Sequence, residues 1–203
     1  MITIINYNLG NPKSIQNMLK HIGGGEVCIS NDPDEIASAQ RIILPGVGHF
    51  QHGMEQLAEL GLVDVLKKEV LQNKKPILGI CLGMQLLTKH SEEGNLAGLG
   101  FIDAQTKKFE FQDVTLKVPH MGWNKVEFKK NTPVNTGVSI NPRYYFVHSY
   151  FVDCANQDDI LCTTQYGQEF VSGFQHQNIF GLQFHPEKSH KFGMELLANF
   201  CKI

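Results

Sequence analysis

Apolar and polar positions in the first half of the chain alternate between two periods. Ile2-Thr3-Ile4-Ile5 is a continuous β-branched run, as in a strand buried on both faces. The polar stretch 6–12 then gives way to Ile15, Met18, Leu19 and Ile22 at helical spacing. Gly23-Gly24-Gly25 ends that helix, Val27-Cys28-Ile29 predicts a second short strand, and Asp32-Pro33-Asp34-Glu35 predicts an acidic helix start. Arg41-Ile42-Ile43-Leu44 predicts a third strand, stopped by Pro45-Gly46. Met54, Leu57, Leu60, Val63, Leu66 and Val70 then mark one helical stripe across 54–71, and Pro76-Ile77-Leu78-Gly79-Ile80 predicts a fourth strand. Strands alternating with helices in this way predict an α/β fold with a central, mostly parallel sheet flanked by helices.

The second half has a different rhythm. From 100 to about 183, short apolar–polar alternations such as Val114-Thr115-Leu116-Lys117-Val118 and Val126-Glu127-Phe128 are separated by Gly, Asn and Pro. They predict an antiparallel extension of the sheet. Met194, Leu197, Ala198 and Cys201 predict one buried face of a closing helix across 189–201. No repeat or linker interrupts the chain, so the 203 residues are expected to form a single domain.

Charge narrows the function classes. Eighteen basic residues against twenty acidic give a net charge of −2, spread along the chain, so neither nucleic acid nor a membrane surface is an expected partner. No leader pattern or apolar run of about 20 residues is present, and a cytoplasmic location is expected. Cys28, Cys81, Cys154, Cys162 and Cys201 lack a C-x-x-C pair, which suggests neither a disulfide framework nor a metal site. Gly46-Val47-Gly48-His49-Phe50-Gln51 lacks the third glycine of a dinucleotide fingerprint, so no cofactor is expected.

The chemistry concentrates in Gly79-Ile80-Cys81-Leu82-Gly83. A buried strand runs into it and a helical segment leaves it, which makes Cys81 the thiol counterpart of the nucleophile in a G-x-S-x-G elbow. A free cysteine is more often an inert core thiol. Two flanking glycines and a helix N-terminus behind the sulfur point instead to a nucleophile whose neighbouring N–H groups can hold an oxyanion. Such a nucleophile needs a base, and the base an orienting group. Gly181-Leu182-Gln183-Phe184-His185-Pro186-Glu187 offers His185 and Glu187 two residues apart in chain that Pro186 biases to an extended conformation.

With those residues in place, the sequence resembles the class I (triad-type) glutamine amidotransferases. Cys81, His185 and Glu187 match their Cys–His–Glu triad, and Leu44-Pro45-Gly46-Val47-Gly48 matches their oxyanion loop. Further segments, Pro119-His120-Met121-Gly122-Trp123-Asn124 and Tyr145-Phe146-Val147-His148-Ser149-Tyr150 among them, are similar to the glutaminase subunits of imidazole glycerol phosphate synthases. The resemblance spans essentially the whole chain. It implies a flavodoxin-like fold and hydrolysis of glutamine to glutamate and ammonia, with the ammonia passed to a (β/α)8-barrel synthase subunit for histidine biosynthesis. It also implies backbone oxyanion donors at Val47, Gly48 and Leu82, and substrate contacts from Gly46, Gln85, Glu93, Ser149 and Tyr150, with Glu93 on the α-amino group. Trp123 is a candidate anchor for the synthase. Asn6-Tyr7-Asn8 stands where the family has Asp-Tyr-Gly. Similar glutaminase subunits feed sugar amidotransferases of surface-polysaccharide synthesis, which is the alternative partner. A flavodoxin-like cysteine hydrolase or peptidase is the alternative enzyme.

Overall fold

A computed structural model describes residues 1–203. Its strands are β1 (Ile2–Ile5), β2 (Val27–Ser30), β3 (Arg41–Leu44), β4 (Ile77–Ile80), β5 (His90–Ser91), β6 (Leu96–Ala97), β7 (Ala104–Lys108), β8 (His120–Lys125), β9 (Glu127–Phe128), β10 (Arg143–His148), β11 (Tyr150–Cys154), β12 (Ile160–Tyr166), β13 (Gln168–His176) and β14 (Ile179–Leu182). The helices are α1 (Pro12–His21), α2 (Pro33–Ser38), α3 (Phe50–Glu59), α4 (Leu62–Lys67), α5 (Leu82–Leu86) and α6 (His190–Phe200). The main sheet runs β2-β1-β3-β4-β14 in parallel and continues through β13, β11 and β7, joined by antiparallel pairing. Its parallel part has the strand order of flavodoxin-like sheets. β8 and β10 form a separate antiparallel pair.

Alternation along the buried strands divides the core between the two faces of the sheet. Ile5, Ile42, Leu44 and Ile77 join one apolar cluster with α2 to α5, while Ile2, Ile4, Ile43, Leu78 and Ile80 join another with α1 and α6. Helix entry follows local chemistry. Asn11 accepts from the Ser14 amide ahead of Pro12 at the start of α1, and Asp32 accepts from the Asp34 and Glu35 amides ahead of Pro33 in α2.

Several sequence expectations need correction. The stripe across 54–71 is not one helix: Gly61, in left-handed backbone at φ +68°, divides α3 from α4, and Lys68–Gln72 forms a π-turn. Val114–Val118 is not a strand. Asp113 Oδ1 accepts from the Thr115 amide and hydroxyl to make a turn, and Val114 lies in solvent with no strand to pair against. In α6 the buried face is Gly193, Leu196, Leu197 and Phe200, one residue round from the expected stripe, of which only Leu197 is fully buried. Gly193 abuts the backbone of Pro186, so the tightest approach sets the helix rotation rather than apolar count.

Three adjacent parallel strands, β3, β4 and β14, end on the same edge of the sheet. The loops that leave them carry Gly46–Gly48, Cys81 and His185, which places distant parts of the sequence at the carboxyl edge where open α/β sheets hold ligands.

Candidate active site

Cys81 sits between β4 and α5 at φ +55° and ψ −111°, a backbone conformation that an L-residue adopts only under constraint. The constraint is the packing of its two glycines. A Cβ on Gly83 would collide with the carbonyl oxygen of Leu44, and one on Gly79 would come within 2.7 Å of the Gly83 carbonyl oxygen. Helix α5 is thereby pressed against the end of β3. The thiol sits at the N-terminus of α5, whose first amides, from Leu82 onward, have no partner within the helix.

His185 lies just past β14, its amide donating to the Tyr145 carbonyl at 2.9 Å, so the chain crosses from the main sheet to β10 there. Glu187 belongs to a 3-10 turn over Pro186–Lys188 rather than to extended chain, and that turn swings its carboxylate onto the ring. Glu187 Oε1 and His185 Nδ1 are 2.8 Å apart with both side chains buried. Burial lowers the affinity of His185 for a proton, but Cys81 and Glu187 outweigh it and push the ring up to about 9. Its Nε2 is buried and makes no hydrogen bond, which leaves that nitrogen for a reacting proton.

A pocket of about 280 Å³ opens on Cys81. Val47, Gly48, Leu82, Gln85, Glu93, Ser149 and Tyr150 line it with Cys81, while His185, Glu187, Gly46 and Trp123 are not among its lining residues. Gly46 is buried behind it, where a Cβ would strike the Tyr7 hydroxyl. Tyr7 donates to the Pro45 carbonyl and ties the loop to the end of β1. Gly48, at φ +121°, takes a conformation that only glycine tolerates. Glu93 Oε2 accepts from the Phe50 amide at 2.8 Å, so its carboxylate faces the pocket and caps α3 at once. A larger cleft of about 630 Å³ beside β9 and the 138–142 loop contains no cysteine or histidine.

Sequence reasoning left out Gln183, His148 and Pro119. Gln183 is buried and directs Nε2 to Cys81 Sγ at 3.8 Å. Its signal was present, two residues before His185 on an extended segment and therefore on the same side. His148 and Pro119 line the pocket without any local pattern to mark them. Trp123 is 47% exposed and stacks on His190 with ring centroids 5.4 Å apart, while Val47, Val118 and Met121 are also exposed.

The model of the glutamine amidotransferase class-I family matches residues 3–203. The chain is 54% identical over 202 residues to imidazole glycerol phosphate synthase subunit HisH 2 of Methanococcus maripaludis, covering 100% of this chain and 99% of that protein. It is 47% identical to the subunit of the same name from Pseudomonas aeruginosa, over 100% of both. The fold matches the CTPS glutaminase domain of Trypanosoma brucei with TM-score 0.68 and 16% identity, covering 99% of this chain and 90% of that one. A match spanning nearly every residue, joined by relatives that align end to end at about half identity, leaves one assignment: this chain belongs to the class-I glutamine amidotransferase family.

Proposed function

We propose that this chain is a glutaminase subunit that hydrolyses L-glutamine through a Cys81 thioester and supplies ammonia to a (β/α)8-barrel synthase subunit forming imidazole glycerol phosphate. Residues 1–203 act as one amidotransferase domain. The observation that carries this reading is the strained Cys81 elbow, which lines a pocket near the lower size limit of small-molecule sites, about 300 Å³, together with the buried His185–Glu187 pair. That size suits one amino acid better than a peptide, which weighs against the peptidase alternative.

His185 holds the proton of the Cys81 thiol, and the thiolate left on Cys81 attacks the side-chain amide carbon of glutamine. The tetrahedral oxyanion forms beside the Leu82 amide and the Val47–Gly48 peptide, whose glycine permits the peptide to turn toward it. His185 then protonates the departing ammonia, water opens the thioester, and Glu187 holds the ring in its reactive orientation. Gln85, Ser149 and Tyr150 position the amino acid, with Glu93 facing its α-amino group. No helix is long and apolar enough to cross a membrane, consistent with a cytoplasmic enzyme. Trp123, Met121, Val118 and Val47 form the apolar docking surface for the synthase.

The test is glutamate release by the chain co-purified with its partner, with and without the synthase's acceptor. Cys81→Ala is expected to abolish glutamate release while the partner still uses free ammonium, and a glutamine-mimicking electrophile is expected to label Cys81 only. Equal loss of both activities would overturn the division of labour. Glutamate release without imidazole glycerol phosphate, but with amidation of a sugar, would transfer the subunit to the surface-polysaccharide alternative.

A further inference from the structure

Two buried histidines outside the triad form a hydrogen-bonded chain that ends on the substrate pocket. The register of β8 with β10 sets His120 opposite His148. Asn124 Nδ2 lies 3.3 Å from His120 Nε2, His120 Nδ1 lies 3.0 Å from His148 Nε2, and His148 Nδ1 lies 2.7 Å from the Tyr150 carbonyl oxygen. A carbonyl only accepts, so His148 must donate from Nδ1. Its Nε2 is then the acceptor in a neutral ring, His120 must donate from its own Nδ1, and His120 Nε2 accepts from Asn124. One carbonyl thus dictates both tautomers.

The surroundings keep the two rings neutral and in place. His120 is stacked between Tyr166 and Phe146, at 4.1 and 4.8 Å, and His148 packs against Phe109 and Phe170 at 5.4 and 5.3 Å. Burial pushes His120 down to about 4 and His148 down to about 3.

The carbonyl they hold is not an ordinary ladder group. The Phe109 amide donates to Ser149 O, which makes Tyr150 and Lys108 an open pair of the antiparallel ladder, and the Lys108 amide is taken by Glu92 Oε2 at 2.7 Å. The N–H and C=O of Tyr150 therefore both point away from β7, toward the elbow. The carbonyl accepts from His148 on one lone pair and from Gln85 Nε2, at 3.2 Å, on the other.

We propose that His148, its tautomer set by the Tyr150 carbonyl and its ring backed by His120 and Asn124, is a positioning residue for glutamine. It clamps the Tyr150 carbonyl and through it holds Gln85 and the Ser149–Tyr150 main chain in the glutamine-binding geometry. The proposal rests on the glutaminase reading above. It adds a role for two histidines that take no part in the proton transfers of that reading.

Long-range nitrogen–proton NMR of the histidine rings tests the chain without reference to activity: both His120 and His148 are expected in the Nδ1–H form, and an Nε2–H form of either overturns the proposal. Kinetics with the partner tests the role. His148→Ala is expected to raise the KM for glutamine about tenfold while kcat changes less than about threefold, the loss of one buried hydrogen bond. His148→Asn, whose amide nitrogen replaces Nδ1, is expected to bring KM back to within about threefold of wild type, while His148→Gln, which places its amide nearer Nε2, is not. Equal KM values in all three variants and wild type, or a fall in kcat and Tm with KM unchanged, would overturn it. A wild-type chain that releases no glutamate fails the glutaminase reading itself, with the ring tautomers still deciding the chain.

Discussion

The side chains of Gln85 and Gln183 meet beneath the pocket. Gln85 Nε2 donates to Gln183 Oε1 at 3.0 Å, and Gln183 in turn aims Nε2 at Cys81 Sγ, 3.8 Å away. One comes from the helix after the elbow and the other from the segment that carries His185, so the pair joins the nucleophile's element to the base's element. Substituting Gln183→Leu keeps the volume and removes both bonds. The expected outcome is a fall in kcat of about tenfold to a hundredfold, since a preorganised donor next to the reacting sulfur is lost. Steady-state glutaminase kinetics check it, and an unchanged kcat would remove Gln183 from the site.

Gly83→Ala tests the elbow as packing. The new methyl would drive into the Leu44 carbonyl oxygen, and backbone cannot step aside as a flexible side chain can. A loss of about 3 kcal/mol is expected, equivalent to roughly 10 °C in Tm for a chain of this size. Glutaminase activity should fall with it, because the same displacement carries the thiol away from His185. A variant of wild-type Tm would show that α5 is free to move off β3.

The His185–Glu187 pair predicts a pH dependence of stability. Folding raises the His185 pKa to about 9, and a group whose folded pKa is raised contributes stability that is full below its unfolded value, about 6.5, and is lost as pH rises through the folded value. Glu187→Gln removes one of the groups that raise it. The Tm deficit of Glu187→Gln should therefore be largest near neutral pH, on the order of 5–10 °C. It should shrink as the pH passes 9. Thermal unfolding from pH 6 to pH 10 checks this, and a deficit independent of pH would mean that the ring is not charged in the folded protein.

Glu93 joins pocket and scaffold in one carboxylate. Glu93→Gln keeps an oxygen to accept from the Phe50 amide, so α3 remains capped, but withdraws the charge that faces the pocket. KM for glutamine should rise about tenfold or more with little change in kcat, as expected for uniform binding of a charged group. Deamino-glutamine, which lacks the α-amino group, should not distinguish the variant from wild type. If it does, Glu93 acts through α3 instead of through the substrate.

Much of the architecture was legible in the order of residues because its causes are local. Double-sided burial writes itself as the β-branched runs of β1 and β3, and Gly79 and Gly83 around Cys81 announce a sharp strand-to-helix turn. His185-Pro186-Glu187 carries its own two-residue relationship, although the 3-10 turn that realises it does not follow from alternation. Tertiary structure decided what depends on a partner far along the chain. Val114–Val118 alternates like a strand and is a turn, because no neighbouring strand reaches it. The rotation of α6 follows from the contact of Gly193 with Pro186, which no periodicity within the helix contains. Gln183 reaches Cys81 across 102 positions, and His148 reaches the pocket only through the pairing of β10 with β8 and the open ladder position of Tyr150. Periodicity within an element records which side is buried; it carries no record of what that side is buried against, and in this protein the pocket is made of those meetings.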